Sequence, residues 1–259
     1  MDMDNELEQL AQGLDHAQRV HDPIPQWSGA QPLTLQQAYA VQSRVVDLRC
    51  AHGDKIIGLK QAFTNRAMMK RMGVAEQVSG LLCRAMEVPN GGPLSMARVF
   101  APRVEIEVMF RLARAVPPDA SPEQALACID AVAPAIEIVD SRYRDFRFTT
   151  NDAVADNASA CGFVVGDWLS PPPELGQRVV TLEIDGAVAV TGNTDSILDH
   201  PLLALCNAAR LAHRDGRPLE AGSLLLGGSA IDPFPVLAGH RVQAHIEGLG
   251  SVGFVVSGA

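Results

Sequence analysis

PRVEIEVMF, Pro102 to Phe110, reads as a strand: Val104, Ile106, Val108 and Phe110 alternate with Arg103, Glu105, Glu107 and Met109, so one face is apolar and the other carries charge. Two residues of extended chain span roughly 7 Å, which places two carboxylates on one surface at that separation. They repel unless water or a cation answers them. By pattern alone the stretch fits an antiparallel strand with one solvated face, and the functional alternative needs support from elsewhere in the chain.

That support comes from PAIEIVDSR, Pro134 to Arg142. Glu137 sits in a run that is apolar on both faces, where a carboxylate is costly unless it is paired or bound to metal. If this strand lies beside the first, three carboxylates converge. Two remedies follow: an ion-pair network with Arg103 and Arg142, or a hard divalent cation. A three-oxygen set suits Mg2+ or Mn2+ better than zinc, which prefers nitrogen and sulfur. In DKIIGLKQAFTN, Lys60 follows Ile56, Ile57 and Leu59 and precedes a helix start at Thr64 and Asn65. Its ammonium either reaches solvent at a strand end or sits at a pocket edge.

The rest of the chain sets limits. It has 259 residues, 47% of them hydrophobic, enough for a full core, and a formal net charge of -9 with no basic run, which argues against nucleic acid and anionic membrane surfaces. No apolar run approaches the roughly 20 residues of a membrane span, and MDMDNELEQL is acidic where a secretion signal is basic and then apolar; a cytoplasmic protein is expected. The 5 cysteines are scattered without CxxC spacing, and the 7 histidines show neither HxH nor HExxH. Neither set is assigned chemistry, and the sequon at Asn157 is expected to be an accident of composition.

The expected architecture is α+β, with a small helical lobe over residues 1–53 and a β-rich body over 54–259. Helices are expected from Glu6 to Gln18 and, after a Pro-rich break from Asp22 to Pro32, from a Thr34/Gln37 capping box onward. Further helices are expected at Asn65–Met72, Ser121–Ala131 and Pro201–His213. Strands are read in KIIGL, VFAPRVEIEVMF, AVAPAIEIVD, CGFVVG, RVVTLEIDG, AVAVTG, SLLLGG, RVQAHIE and SVGFVV, with a hairpin turn at Asp185-Gly186. GGS at Gly227–Ser229 fits neither a phosphate loop nor a nucleophile elbow, and reads as a tight backbone approach.

GLK with Thr64, MGV at Met72–Val74, PRVEIE, PAIEIVDSR, VADNAS at Val154–Ser159, LDHP at Leu198–Pro201, LEAGSLLLGGS at Leu219–Ser229 and GLGSV at Gly248–Val252 occur in this order. Together they resemble the 2-oxopent-4-enoate hydratase and 4-oxalocrotonate decarboxylase branch of the fumarylacetoacetate hydrolase superfamily. The resemblance implies a largely β body with an N-terminal helical lobe, Mg2+ or Mn2+ on Glu105, Glu107 and Glu137, and Lys60 as the catalytic lysine. It places Asp156, Asn157, Ser159, Ser229 and Arg142 near a small 2-oxo acid substrate. It also implies an oligomer and a possible complex with a paralogous hydratase, in which a noncatalytic partner role is a further option. Hydratases of this kind tend to carry an acidic residue where this chain has Val78, and DSRYRDFRF, Asp140 to Phe148, resembles the decarboxylases. Decarboxylation of 2-oxohex-3-enedioate is therefore expected ahead of hydration of 2-hydroxypenta-2,4-dienoate. Gln61-Ala62 and Ile231-Asp232-Pro233 depart from the family pattern. For Lys60, burial beside a cation would lower the pKa and suit a proton donor.

Overall fold

The computed structural model describes residues 3–27, 32–72 and 74–258, with the side chains of Met68, Arg71 and Met72 excepted. Part of the expected Pro-rich break, and Gly73 of the MGV motif, lie outside the described residues. Among the described residues the α-helices are α1 (Met3–Val20), α2 (Leu35–Ala51), α3 (Arg66–Met72), α4 (Pro122–Leu126), α5 (Thr150–Ala155) and α6 (Pro201–Arg214). The strands are β1 (Ile56–Ala62), β2 (Val78–Cys83), β3 (Pro93–Ser95), β4 (Arg103–Leu112), β5 (Ile129–Val139) and β6 (Ala160–Val165), then β7 (Val179–Ile184), β8 (Ala187–Asn193), β9 (Leu224–Ser229), β10 (Phe234–Pro235), β11 (Arg241–Ile246) and β12 (Gly250–Ser257).

A mixed helix and sheet body results, as its alternating sequence dictates. One sheet runs β2-β1-β9-β4-β5-β6, with β10 also on β4; the other runs β3-β12-β11-β7-β8. Side chains from both, such as Ile106, Ile138, Val252 and Phe254, share one core. A second cluster joins Leu7, Leu10 and Leu14 of α1 and Val41 and Val45 of α2 to Val78, Tyr143 and Val154, so the N-terminal helices cover one end of the larger sheet.

The local signals work as their chemistry requires. Thr34 and Gln37 close a capping box at α2, and Ser121 and Gln124 do so at α4. Asp185 and Gly186, at φ 55° and 81°, make the β7–β8 turn. The helix expected from Ser121 to Ala131 stops at Leu126, because Ile129, Ala131 and Val132 are claimed by β5 and buried in the sheet. Three strands escaped the sequence reading: β2, which lacks alternation, and β3 and β10, which are very short.

The opening stretch is overturned in one respect. β4 lies between β9 and β5, in the interior of its sheet, and Glu107 and Met109 are as completely buried as Ile106 and Val108. A solvated face does not explain Glu107, which is fully buried; only the Arg103 end of this face is exposed.

Candidate metal centre and cavity

Register brings the carboxylates together. β4 and β5 pair antiparallel with Glu105 opposite Glu137, so both side chains stand on one face, and Glu107 follows on that face two residues along. Ser229 of β9 pairs with Glu107 on the other side. β1 pairs with β9 in parallel through Gly58, Leu59 and Lys60, which brings the Lys60 ammonium to the same cluster.

One ligand oxygen from each of Glu105, Glu107 and Glu137 lies within 4.8 Å of the others, and this is the one such group among the described residues. Lys60 Nζ is 3.0 Å from Glu137 Oε1. That pair meets the distance of an ion pair but not the direction of a hydrogen bond, since both Glu137 oxygens lack a hydrogen-bond partner. Glu107 Oε2 accepts from the Gly228 N–H at 2.8 Å, while Oε1 is buried and unsatisfied. Gly228, at φ 115°, is required here: a Cβ would collide with Thr64.

The electrostatics follow. Burial and the neighbouring Glu137 push Glu105 up to about 7, and the same causes, with Glu105 added, push Glu107 well above the carboxylate range. Burial alone would lower Lys60, but the three glutamates outweigh it and hold its ammonium protonated. This direction belongs to the cation-free cluster, whereas the lowered lysine expected from the sequence is one beside a bound cation.

Buried carboxylate oxygens without partners, all of them hard donors, fit a divalent cation of the Mg2+ or Mn2+ type. The arginine remedy is not realised. Arg103 lies over the Phe146 ring, and Arg142 is committed to Asp156.

Above the cluster opens a cavity of about 420 Å³, lined by Lys60, Thr64, Val78, Arg103, Glu105, Val139, Phe146, Phe148, Ser159, Ser229, Ile231 and Asp232, among others. Glu107 and Glu137 lie fully buried below. Of the residues expected to bind substrate, Ser159 and Ser229 line it. Ser229 Oγ donates to Ile231 O at 2.7 Å and shapes the turn.

Arg142, Asp156 and Asn157 do not line the cavity, and for them the expectation is corrected. Arg142 Nε meets Asp156 Oδ1 at 2.5 Å and its backbone N–H donates to Asp156 Oδ2 at 2.9 Å, both side chains being shielded from solvent. Asn157 spends its amide on both backbone groups of Leu81, at 2.7 and 2.9 Å. Its burial also removes it as a sugar acceptor. These three are framework residues. They hold Asn157, Ala158 and Ser159 in three successive left-handed conformations, at φ 53°, 51° and 58°, which presents Ala158 and Ser159 to the cavity.

Phe146, Phe148 and Asp232 are wall residues that sequence reasoning did not assign to the site. The first two follow β5 in DSRYRDFRF, and only the fold shows that this segment turns back over the cluster.

Residues 75–257 match the family "Fumarylacetoacetate (FAA) hydrolase C-terminal". A 4-oxalocrotonate decarboxylase of Pseudomonas sp is 39% identical over 97% of this chain and 98% of its own length. A 2-keto-4-pentenoate hydratase of Paraburkholderia phymatum is 36% identical, covering 97% and 98%. Among solved structures, 4-oxalocrotonate decarboxylase from Pseudomonas putida G7, complexed with magnesium and adipate, superposes with a TM-score of 0.93 at 29% identity over 99% of both chains. No helix among the described residues is long and apolar enough to cross a membrane.

Proposed function

This chain belongs to the fumarylacetoacetate hydrolase family, and from that premise we propose that it is a divalent-cation-dependent lyase that decarboxylates 2-oxohex-3-enedioate, a 4-oxalocrotonate, to 2-hydroxypenta-2,4-dienoate. The observation that carries the reading is the convergence of Glu105, Glu107 and Glu137 beneath the cavity, with three buried carboxylate oxygens that have no hydrogen-bond partner and a single ammonium to answer three charges.

These three glutamates would hold Mg2+ or Mn2+. The cation supplies a Lewis acid for the carbonyl of a 2-oxo acid and so the electron sink that loss of carbon dioxide needs. The chain's own groups do the remainder. In the reaction the bond between C5 and the C6 carboxylate breaks, its electron pair passes along the conjugated chain toward the C2 oxygen, and one proton is taken up there. Lys60, buried at the cavity floor 3.0 Å from Glu137, would place positive charge where that electron density gathers and hand over the proton through Nζ. Val78, Phe146 and Phe148 form apolar wall that keeps water from the conjugated carbons.

Val78 is the reason for favouring decarboxylation over hydration, since no acid stands at that wall position to activate water. Asp232, exposed at the cavity mouth, is the observation that favours the second reading, a 2-hydroxypentadienoate hydratase, because it is a carboxylate free to act as a base. Purified protein with Mg2+ is to be offered 2-oxohex-3-enedioate and 2-hydroxypenta-2,4-dienoate separately. Carbon dioxide from the first supports the decarboxylase; consumption of the second alone replaces it with the hydratase.

The proposal extends to assembly as a homo-oligomer and to a complex with a hydratase of the same fold. Sedimentation of the chain alone and mixed with such a hydratase tests both.

A further inference from the structure

One face of β4 carries Glu107, Glu105 and Arg103 in that order, and exposure rises with it, from fully buried through half-buried to exposed. Each two-residue step advances about 7 Å, so this face runs from the cavity floor to its mouth. Lys60 and Arg103 are the cations lining the cavity, and they differ in state. Lys60 is paired with Glu137. The Arg103 guanidinium has no carboxylate within ion-pair distance among the described residues and lies 4.6 Å from the centroid of the Phe146 ring. Stacking on a ring leaves the in-plane N–H groups of a guanidinium free for bidentate contact with a carboxylate.

We propose that Arg103 binds the distal carboxylate of a linear 2-oxo dicarboxylate whose 2-oxo acid end lies over Glu105, Glu107 and Glu137, and thereby selects dicarboxylates over monocarboxylates of the same length. This rests on the proposed function above. The carboxyl carbons of a six-carbon diacid are five bonds of about 1.5 Å apart, an extended span of about 6 Å, which matches the step of about 7 Å from Glu105 to Arg103. Val139, opposite Arg103 in β5, and Phe146 flank the intervening carbons. Asp232 also lines the mouth, and its charge makes a counter-cation there the more necessary for a dianion. The carboxylate at Arg103 is the one that leaves, and it loses its charge as carbon dioxide forms. Arg103 therefore holds the bound substrate more strongly than the transition state, and its removal acts on KM rather than kcat.

Mg2+-loaded wild type, R103Q and R103K are titrated calorimetrically with 2-oxohexanedioate, which is saturated and keeps its carboxylate, and with 2-oxohexanoate. Steady-state rates on 2-oxohex-3-enedioate are measured beside them. R103Q is expected to weaken the dicarboxylate roughly tenfold or more while leaving the monocarboxylate within about twofold. KM rises and kcat is unchanged or higher. R103K, which keeps the charge without the planar fork, shows a smaller loss confined to the dicarboxylate, and stands in should R103Q not fold. Equal weakening of both ligands, unchanged dicarboxylate affinity, or a loss of kcat at constant KM overturns the assignment. Wild type that binds both ligands but releases no carbon dioxide refutes the proposed reaction, and the ligand comparison still decides Arg103.

Discussion

Glu107→Gln separates a cation site from an ordinary polar cluster. Two unit charges 4.8 Å apart repel by about 3.5 kcal/mol at an effective dielectric of about 20, from 332/(20 × 4.8). Glu107 faces two such neighbours, whereas Lys60 answers one of the three charges. Protons taken up by Glu105 and Glu107 relieve part of this, so a net gain of about 1 to 2 kcal/mol is expected when the charge is removed. The glutamine carbonyl can still accept from Gly228, which limits other losses. For a chain of this size that gain corresponds to a Tm higher by about 3 to 6 °C in excess chelator. With Mg2+ the order reverses. Wild type at 100 times its Kd gains about 2.7 kcal/mol, and the variant, short of one ligand, gains little. Differential scanning calorimetry with chelator and then with Mg2+ reads both arms. A variant that melts below wild type in chelator, or equal Mg2+ stabilisation of both proteins, refutes the reasoning.

Glu105 and Glu107 hold protons more tightly folded than unfolded, so cation-free stability falls as pH rises from the ordinary carboxylate range toward about 7. The cation-free Tm gap between wild type and Glu105→Gln is expected to shift in favour of the variant across that window, and excess Mg2+ to abolish the trend; a gap that moves the other way refutes it. Lys60→Met leaves buried carboxylates without a counter-charge and is expected to cost about 3 to 5 kcal/mol in urea unfolding with chelator. Mg2+ restores much of that stability but not turnover, which drops about 100-fold or more. Arg142→Met breaks the buried pair with Asp156 and is expected to cost a similar amount while leaving KM unchanged. A changed KM at full stability would return Arg142 to the substrate.

Much of this was legible in period-two alternation. It placed Arg103, Glu105 and Glu107 on one face and marked Glu137 as a carboxylate in an apolar run, because a strand's side-chain direction is fixed by sequence position alone. Register is not: the pairing of Glu105 with Glu137 depends on which strands become neighbours, and no spacing encodes that. For Lys60 the local pattern left solvent and pocket edge open, and only the motif order placed it at the site; a parallel pairing with β9 is what delivers it. Arg142 and Asp156 carried the residue types of a binding site. What committed them to each other was burial, which the motif does not record. The end of α4 was misread because a capping box announces where a helix begins but not how soon a strand reclaims the chain.

β9 separates β1 from β4 in the larger sheet, yet its residues, Leu224–Ser229, follow those strands by more than a hundred positions. A nascent chain halted before them holds the acidic strands β4 and β5 without the scaffold that seats Lys60 or the Gly228 amide that orients Glu107. Ion capture is thus deferred until β9 has been made, and a ribosome-bound fragment that ends before it should present no finished chelating centre to the cell's pool of free divalent ions.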